Sequence, residues 1–166
     1  MVNTQTATLK LTSLRSLAIA MAFVAGNIIV PQLCHLVPGG GLMWLPIYFF
    51  TLVGAYRYGW QVGLLTAVVS PLVNSLLFGM PAIASVPVIE IKSLLLALTA
   101  AVVAARVRRV TLAAVILTVA AAFMLGGAFE WAYTGSLASA IQDFVIGWPG
   151  LLLQAFGGWA VLKLLR

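Results

Sequence analysis

The chain has 166 residues, 63% of them hydrophobic and 7% charged, with a mean hydropathy of +1.14. Soluble domains are about 45–50% apolar and about 25% charged, so a soluble globular domain, a disordered chain and a nucleic-acid-binding module are excluded. One transmembrane helix takes about 20 apolar residues, so six would use roughly 120 and leave only short loops. The composition predicts a single all-α, polytopic membrane domain over residues 1–166.

Nine Lys/Arg stand against three Asp/Glu, a formal charge of +6. The cations fall in four groups: Lys10 with Arg15; Arg57; Arg106, Arg108 and Arg109; Lys163 with Arg166. Each interval between groups is long enough for two crossings. By the positive-inside rule the groups mark cytoplasmic turns, which gives three helical hairpins, six spans and both termini in the cytoplasm. Lys92 alone departs from this pattern. Residues 1–12 read as a cytosolic segment and not a cleavable signal, because the apolar run behind them has no A-x-A-like exit. The single cysteine, Cys34, forms no internal disulfide.

In chain order, the first span is predicted over about Ser13–Leu33. The second, about Leu42–Tyr56, ends in the turn Arg57-Tyr58-Gly59-Trp60. A third over about Gln61–Phe78 contains Pro71, which removes a backbone donor and predicts a kink. The fourth, about Pro87–Ala105, opens on a proline suited to a first turn. The fifth covers about Val110–Trp131 and the sixth about Pro149–Leu165. The outer connections are then 34–41, 79–86 and 134–147, the last with room for a short interfacial helix around Ala138–Val145.

All three carboxylates fall toward the outer half. Ionisable groups in a membrane are unfavourable by several kcal/mol and usually face a cavity or a partner, so Glu90 and Glu130 are the first candidates for a polar pocket. Headgroup-level placement is the competing reading for both, and for Asp143. Lys92 lies about 200° around the helix from Glu90; it points inward as a counter-ion for another carboxylate or an anionic ligand, or snorkels outward. Asn74, Gln154 and His35 complete the binding candidates, against helix-gluing hydrogen bonds for the amides and an interfacial place for the imidazole. Trp44, Trp131 and Trp148 fit an aromatic belt; Trp44 also suits stacking on a heteroaromatic ligand. Ala18, Ala22 and Gly26 form a small-residue ridge that lets another helix approach closely, either within the bundle or from a separate subunit. No catalytic, nucleotide-binding or metal motif is present, and Cys34 and His35 are adjacent instead of at ligand spacing. No cofactor and no enzymatic activity are expected.

Four stretches together resemble the substrate-binding S-component of energy-coupling factor (ECF) vitamin transporters. Ala18-x-x-x-Ala22 resembles the family's docking motif for the coupling subunit. His35-Leu-Val-Pro38-Gly-Gly-Gly41 with Met43-Trp44-Leu45-Pro46 looks like a first outer loop and the start of span two. Pro71 through Gly79-Met80-Pro81 and Pro87-x-x-Glu90 are similar to spans three and four, and Gly147-Trp-Pro149-Gly150-x-x-x-Gln154 to the last span. Trp44 stands where that branch has a histidine, and Lys92 where an apolar residue is usual, so no particular vitamin is carried across.

The resemblance implies a multi-pass protein of the bacterial inner membrane that binds a small vitamin or precursor from outside. The ligand would lie among spans four, five and six beneath the first outer loop, whose Gly39-Gly40-Gly41 run suits a lid. A transmembrane coupling subunit and two cytosolic ATPases would drive uptake, with membrane lipid around the bundle. A membrane scaffold subunit, whose polar residues only pack helices, is the alternative. A small intramembrane enzyme using Glu90, Glu130 and His35 on a lipid is a third reading.

Overall fold

A computed structural model describes residues 13–107 and 109–165. The predicted cytosolic segment 1–12, with Lys10, and also Arg108 and Arg166, lie outside the described residues. The described chain is all-helical, with 86% helix and no strand. Its helices are α1 (Leu14–Cys34), α2 (Gly40–Trp44), α3 (Phe49–Tyr58), α4 (Trp60–Phe78), α5 (Val86–Arg106), α6 (Leu112–Thr134), α7 (Leu137–Val145), α8 (Trp148–Leu152) and α9 (Gly158–Leu164). A π-helical stretch, Leu153–Gly157, joins α8 to α9.

The helix ends follow local chemistry. Ser13 and Thr111 cap α1 and α6 by accepting the backbone N–H of Ser16 and Ala114. Pro87 sits in the first turn of α5. Gly79 and Gly135 end α4 and α6 in the left-handed region, which a residue without Cβ adopts freely.

Four helical segments are long and apolar enough to cross a membrane: α1, α4, Ile83–Arg106 and α6. The pair Leu137–Val145 and Trp148–Leu164, bent by 56°, makes a fifth if it counts as one span. The protein is thus a multi-pass membrane protein by helix length and apolarity.

The predicted second span, Leu42–Tyr56, is broken. Pro46 disfavours a helical conformation at the residue before it, and Leu45 takes φ 48°, ψ 45° between α2 and a 3-10 turn over Pro46–Tyr48. What remains is α3, ten residues whose Thr51–Tyr56 are all buried. It is an inner helix, packed against α1, α4, α5 and α9. A helix wrapped in protein on every side is not held to the bilayer thickness as a lipid-facing one is.

Contacts fix which ends lie together. Asn27 and Gln32 of α1 meet Ser70 and Asn74 of α4 in the same chain direction, so the two helices run parallel. Arg57, at the end of α3, donates through Nε to the Leu165 carbonyl oxygen at 2.9 Å. The start of α1, the α3–α4 turn and the end of α9 therefore share one end of the bundle, which carries Arg15, Arg57 and Lys163. The opposite end holds α2, α7 and the connections 34–41 and 79–86.

A neutral polar seam ties α1, α3 and α4 together. Asn27 Nδ2 donates to Thr51 Oγ1 at 3.0 Å, and Asn27 Oδ1 accepts the Phe50 N–H. Asn74 Nδ2 donates to the carbonyls of Asn27 and Ser70 at 2.8 and 2.9 Å, while its Oδ1 accepts from Gln32. Helix α4 runs through Pro71 without interruption.

Candidate functional site

At the end opposite the arginines, a cavity of about 480 Å³ opens among the end of α1, the α2–α3 turn, residues 80–85, α5, α6 and α7. Apolar side chains form most of it, including Pro31, Leu42, Leu45, Ile47, Val88 and Ile89. Its polar lining converges on Lys92, Glu130 and Asp143, with His35, Tyr48, Tyr133, Ser139 and Gln142 around them. That volume and mixture suit a small-molecule site, which is typically about 300–1,000 Å³, mostly apolar, with a few placed polar groups.

The charged cluster is built by three helices. Lys92 sits six residues into α5, and its side chain is only 5% exposed. Its stem crosses Gly126 of α6, where a Cβ would come within 2.6 Å of Lys92 Cγ. One turn on from Gly126, Glu130 directs Oε2 to within 2.5 Å of Lys92 Nζ. The third helix is α7, capped by Ser136, whose hydroxyl accepts the Ser139 N–H. It approaches α6 at Gly127, where a Cβ would meet the Ala140 carbonyl oxygen at 2.9 Å. This closeness brings Asp143 Oδ2 to 2.5 Å from Lys92 Nζ, so the ammonium donates to it while facing Glu130.

Helix α7 is amphipathic with its polar side inward. Leu137, Ile141, Phe144 and Val145 are exposed, whereas Ser139, Gln142 and Asp143 line the cavity. In a membrane this is the stable orientation, because lipid takes the apolar face and the cavity the polar one.

The 34–41 connection uses its glycines for close packing. Gly39 has φ +74°. A Cβ on Gly40 would overlap the Cys34 carbonyl oxygen, and one on Gly41 would overlap His35 Nε2. The loop is also clamped from the start of α8. A Cβ on Gly150 would overlap the Trp44 carbonyl oxygen, and one on Gly147 would lie 2.8 Å from Leu45 Cδ1. The Gly147-Trp-Pro-Gly150 sequence thus receives the turn at Leu45.

Of the predicted binding residues, the cavity brings together His35 and Glu130. Trp44, Asn74, Glu90 and Gln154 are not in its wall. Trp44 faces outward, as do Trp131 and Trp148, in keeping with an aromatic belt. Asn74 belongs to the neutral seam. Glu90 lies two turns before Ala97, the residue that Gly63 of α4 meets, and so shares the α4-facing side of α5. Its Oε1 is buried without a hydrogen-bond partner. Gln154 is fully buried in the π-helical stretch, and neither amide atom has a partner. Ala18 and Ala22 face outward, while Gly26 is occupied from within: a Cβ there would lie 2.8 Å from the Phe50 ring.

Lys92 and Asp143 are the central site residues that the binding candidates omitted. Lys92 does take the inward counter-ion role open to it from the sequence. The signal for Asp143 was the 137–145 pattern, which places 139, 142 and 143 together against an apolar face.

No group of three or more His, Cys, Asp or Glu among the described residues is arranged to hold a metal ion. No protein-family model, curated protein or solved structure matches the chain.

Proposed function

We propose that the chain is the substrate-binding subunit of an ECF-type importer, capturing a small vitamin-like molecule from the outer face of a bacterial inner membrane. In this reading the bundle crosses six times. The short α3 with the turn before it counts as the second crossing, α7 lies at the outer interface, α8–α9 forms the sixth, and both termini are cytoplasmic.

The observation that carries the reading is the cavity around the buried Lys92–Glu130–Asp143 cluster, at the end of the bundle opposite Arg57 and Lys163. A charge cluster beside such a cavity is poorly explained by helix packing alone, since neutral hydrogen bonds glue the other side of this same bundle. Under the positive-inside rule the arginine end is cytoplasmic, and the cavity then opens outward. The outward-facing Ala18 and Ala22 leave a smooth strip on α1 for the coupling subunit. Binding and transport would be divided: this chain holds the cargo, and partner ATPases supply the energy.

Reconstitution tests the reading. The chain should co-purify with a transmembrane coupling subunit and two ATPases and support ATP-dependent uptake. Ala18→Leu with Ala22→Leu should abolish uptake while sparing ligand binding. A chain that binds no small molecule and joins no such complex is a scaffold subunit; turnover of a lipid by the purified chain would make it an enzyme.

A further inference from the structure

The charges around the cavity do not balance. Its lining holds one ammonium, Lys92, and two carboxylates, Glu130 and Asp143, with no arginine. The one imidazole, His35, is exposed at the rim and packs over Gly41. With that histidine neutral, the formal charge of the lining is −1.

The excess is buried. The side chains of Lys92, Glu130 and Asp143 are 5%, 14% and 12% exposed. Lys92 has three N–H donors, and it faces both carboxylates at 2.5 Å through Glu130 Oε2 and Asp143 Oδ2. The second oxygens, Glu130 Oε1 and Asp143 Oδ1, accept no hydrogen bond from the described residues, although both residues line the cavity. An uncompensated charge in a low-dielectric site is strongly unfavourable until a counter-charge reaches it. Tyr48 and Tyr133, also in the lining, are aromatic residues of a kind that can attract cations. Lys92 is already charge-paired with both acids, so its positive charge is more than offset before any ligand arrives.

We propose that the cavity binds a small organic cation, a protonated amine or a positively charged nitrogen heterocycle. Its charged nitrogen is drawn to the free oxygens of Glu130 and Asp143, and its apolar body rests against Leu42, Leu45, Ile47, Val88 and Ile89. This rests on the reading that the cavity is a binding site and narrows it to one charge class.

The test is equilibrium dialysis of the purified full chain, in detergent micelles, against a defined mixture of vitamin-sized compounds. Amines, heteroaromatic cations, neutral isosteres, and carboxylates or phosphates are equally represented, and mass spectrometry identifies what is retained. The retained compounds should carry a positive nitrogen and be preferred over their neutral isosteres. Glu130→Gln and Asp143→Asn, each close in shape to the original, should lower retention by about tenfold or more, as expected for loss of a charge-assisted contact. The preference for cations over isosteres is read in the unaltered protein, so it decides the charge class even if a variant fails to fold. Retention of anions lacking a positive nitrogen, or retention unchanged in Glu130→Gln, would overturn the charge assignment and leave the binding site standing. Retention of nothing by folded, monodisperse protein would overturn both.

Discussion

The amide seam between α1, α3 and α4 and the ion cluster between α5, α6 and α7 both bury polar groups in a very apolar chain, but on different terms. In the seam, Asn27 and Asn74 each donate and accept within the bundle, with no formal charge and outside the wall of the cavity. In the cluster, one cation holds two anions at the wall of a 480 Å³ cavity. Neutral polar groups that satisfy one another specify how helices meet. Charged groups left one short of balance beside a cavity have room for a counter-charge from outside, the role proposed for the ligand. The proposed binding function rests on this difference, with structure on one side of the bundle and the ligand on the other.

The comparison breaks most readily at Lys92. Lys92→Met leaves two carboxylates facing each other without a cation, and should destabilise the protein by about 3–5 kcal/mol, measured by denaturant unfolding in mixed micelles. Adding Glu130→Gln and Asp143→Asn to it should restore much of that stability but not ligand retention. A Lys92→Met protein as stable as the original would mean that the cluster does not hold the helices together.

Asn74→Leu is the matching experiment in the seam. It removes two donated bonds and one accepted bond and should lower stability by about 1–3 kcal/mol with ligand retention unchanged in the folded fraction. Selective loss of retention at full stability would erase the proposed division of labour. Gly126→Ala sharpens the other side, since the new methyl would displace the Lys92 stem. A stability loss of about 1 kcal/mol, in the middle of the range for single substitutions, should accompany weaker retention; unaltered retention would show that the position of Lys92 does not matter to the ligand. The smallest stability change, within about 0.5 kcal/mol, is expected for Ala18→Leu with Ala22→Leu, whose signature is lost uptake.

Much of this architecture was legible because lipid imposes simple rules. Long apolar runs punctuated by cations located α1, α4, α5 and α6 to within a few residues, and glycine and proline marked their ends. Those rules fail where protein replaces lipid. Helix α3 is buried by its neighbours, so neither its length nor its start at Phe49 follows from bilayer dimensions, and the left-handed Leu45 depends on Gly147 and Gly150 about a hundred residues further on. The site was half-legible. Glu130 and His35 could be picked out as polar groups near the outer end of spans. Lys92 was visible as an anomaly, but its partners lie 38 residues away on α6 and 51 on α7, beyond the reach of a single helical wheel. Asn74 showed the opposite limit: a buried amide has the same appearance in a sequence whether it meets a ligand or another helix.

The most direct test of an outward-facing cavity uses the absence of other thiols. In a Cys34→Ser background, Ser139→Cys places a thiol in the cavity wall and Lys163→Cys places one at the arginine end. A membrane-impermeant maleimide applied to intact cells should label position 139 and leave position 163 unlabelled until the membrane is opened. Labelling of 163 on intact cells, with 139 protected, would put the cavity on the inner face and contradict the account.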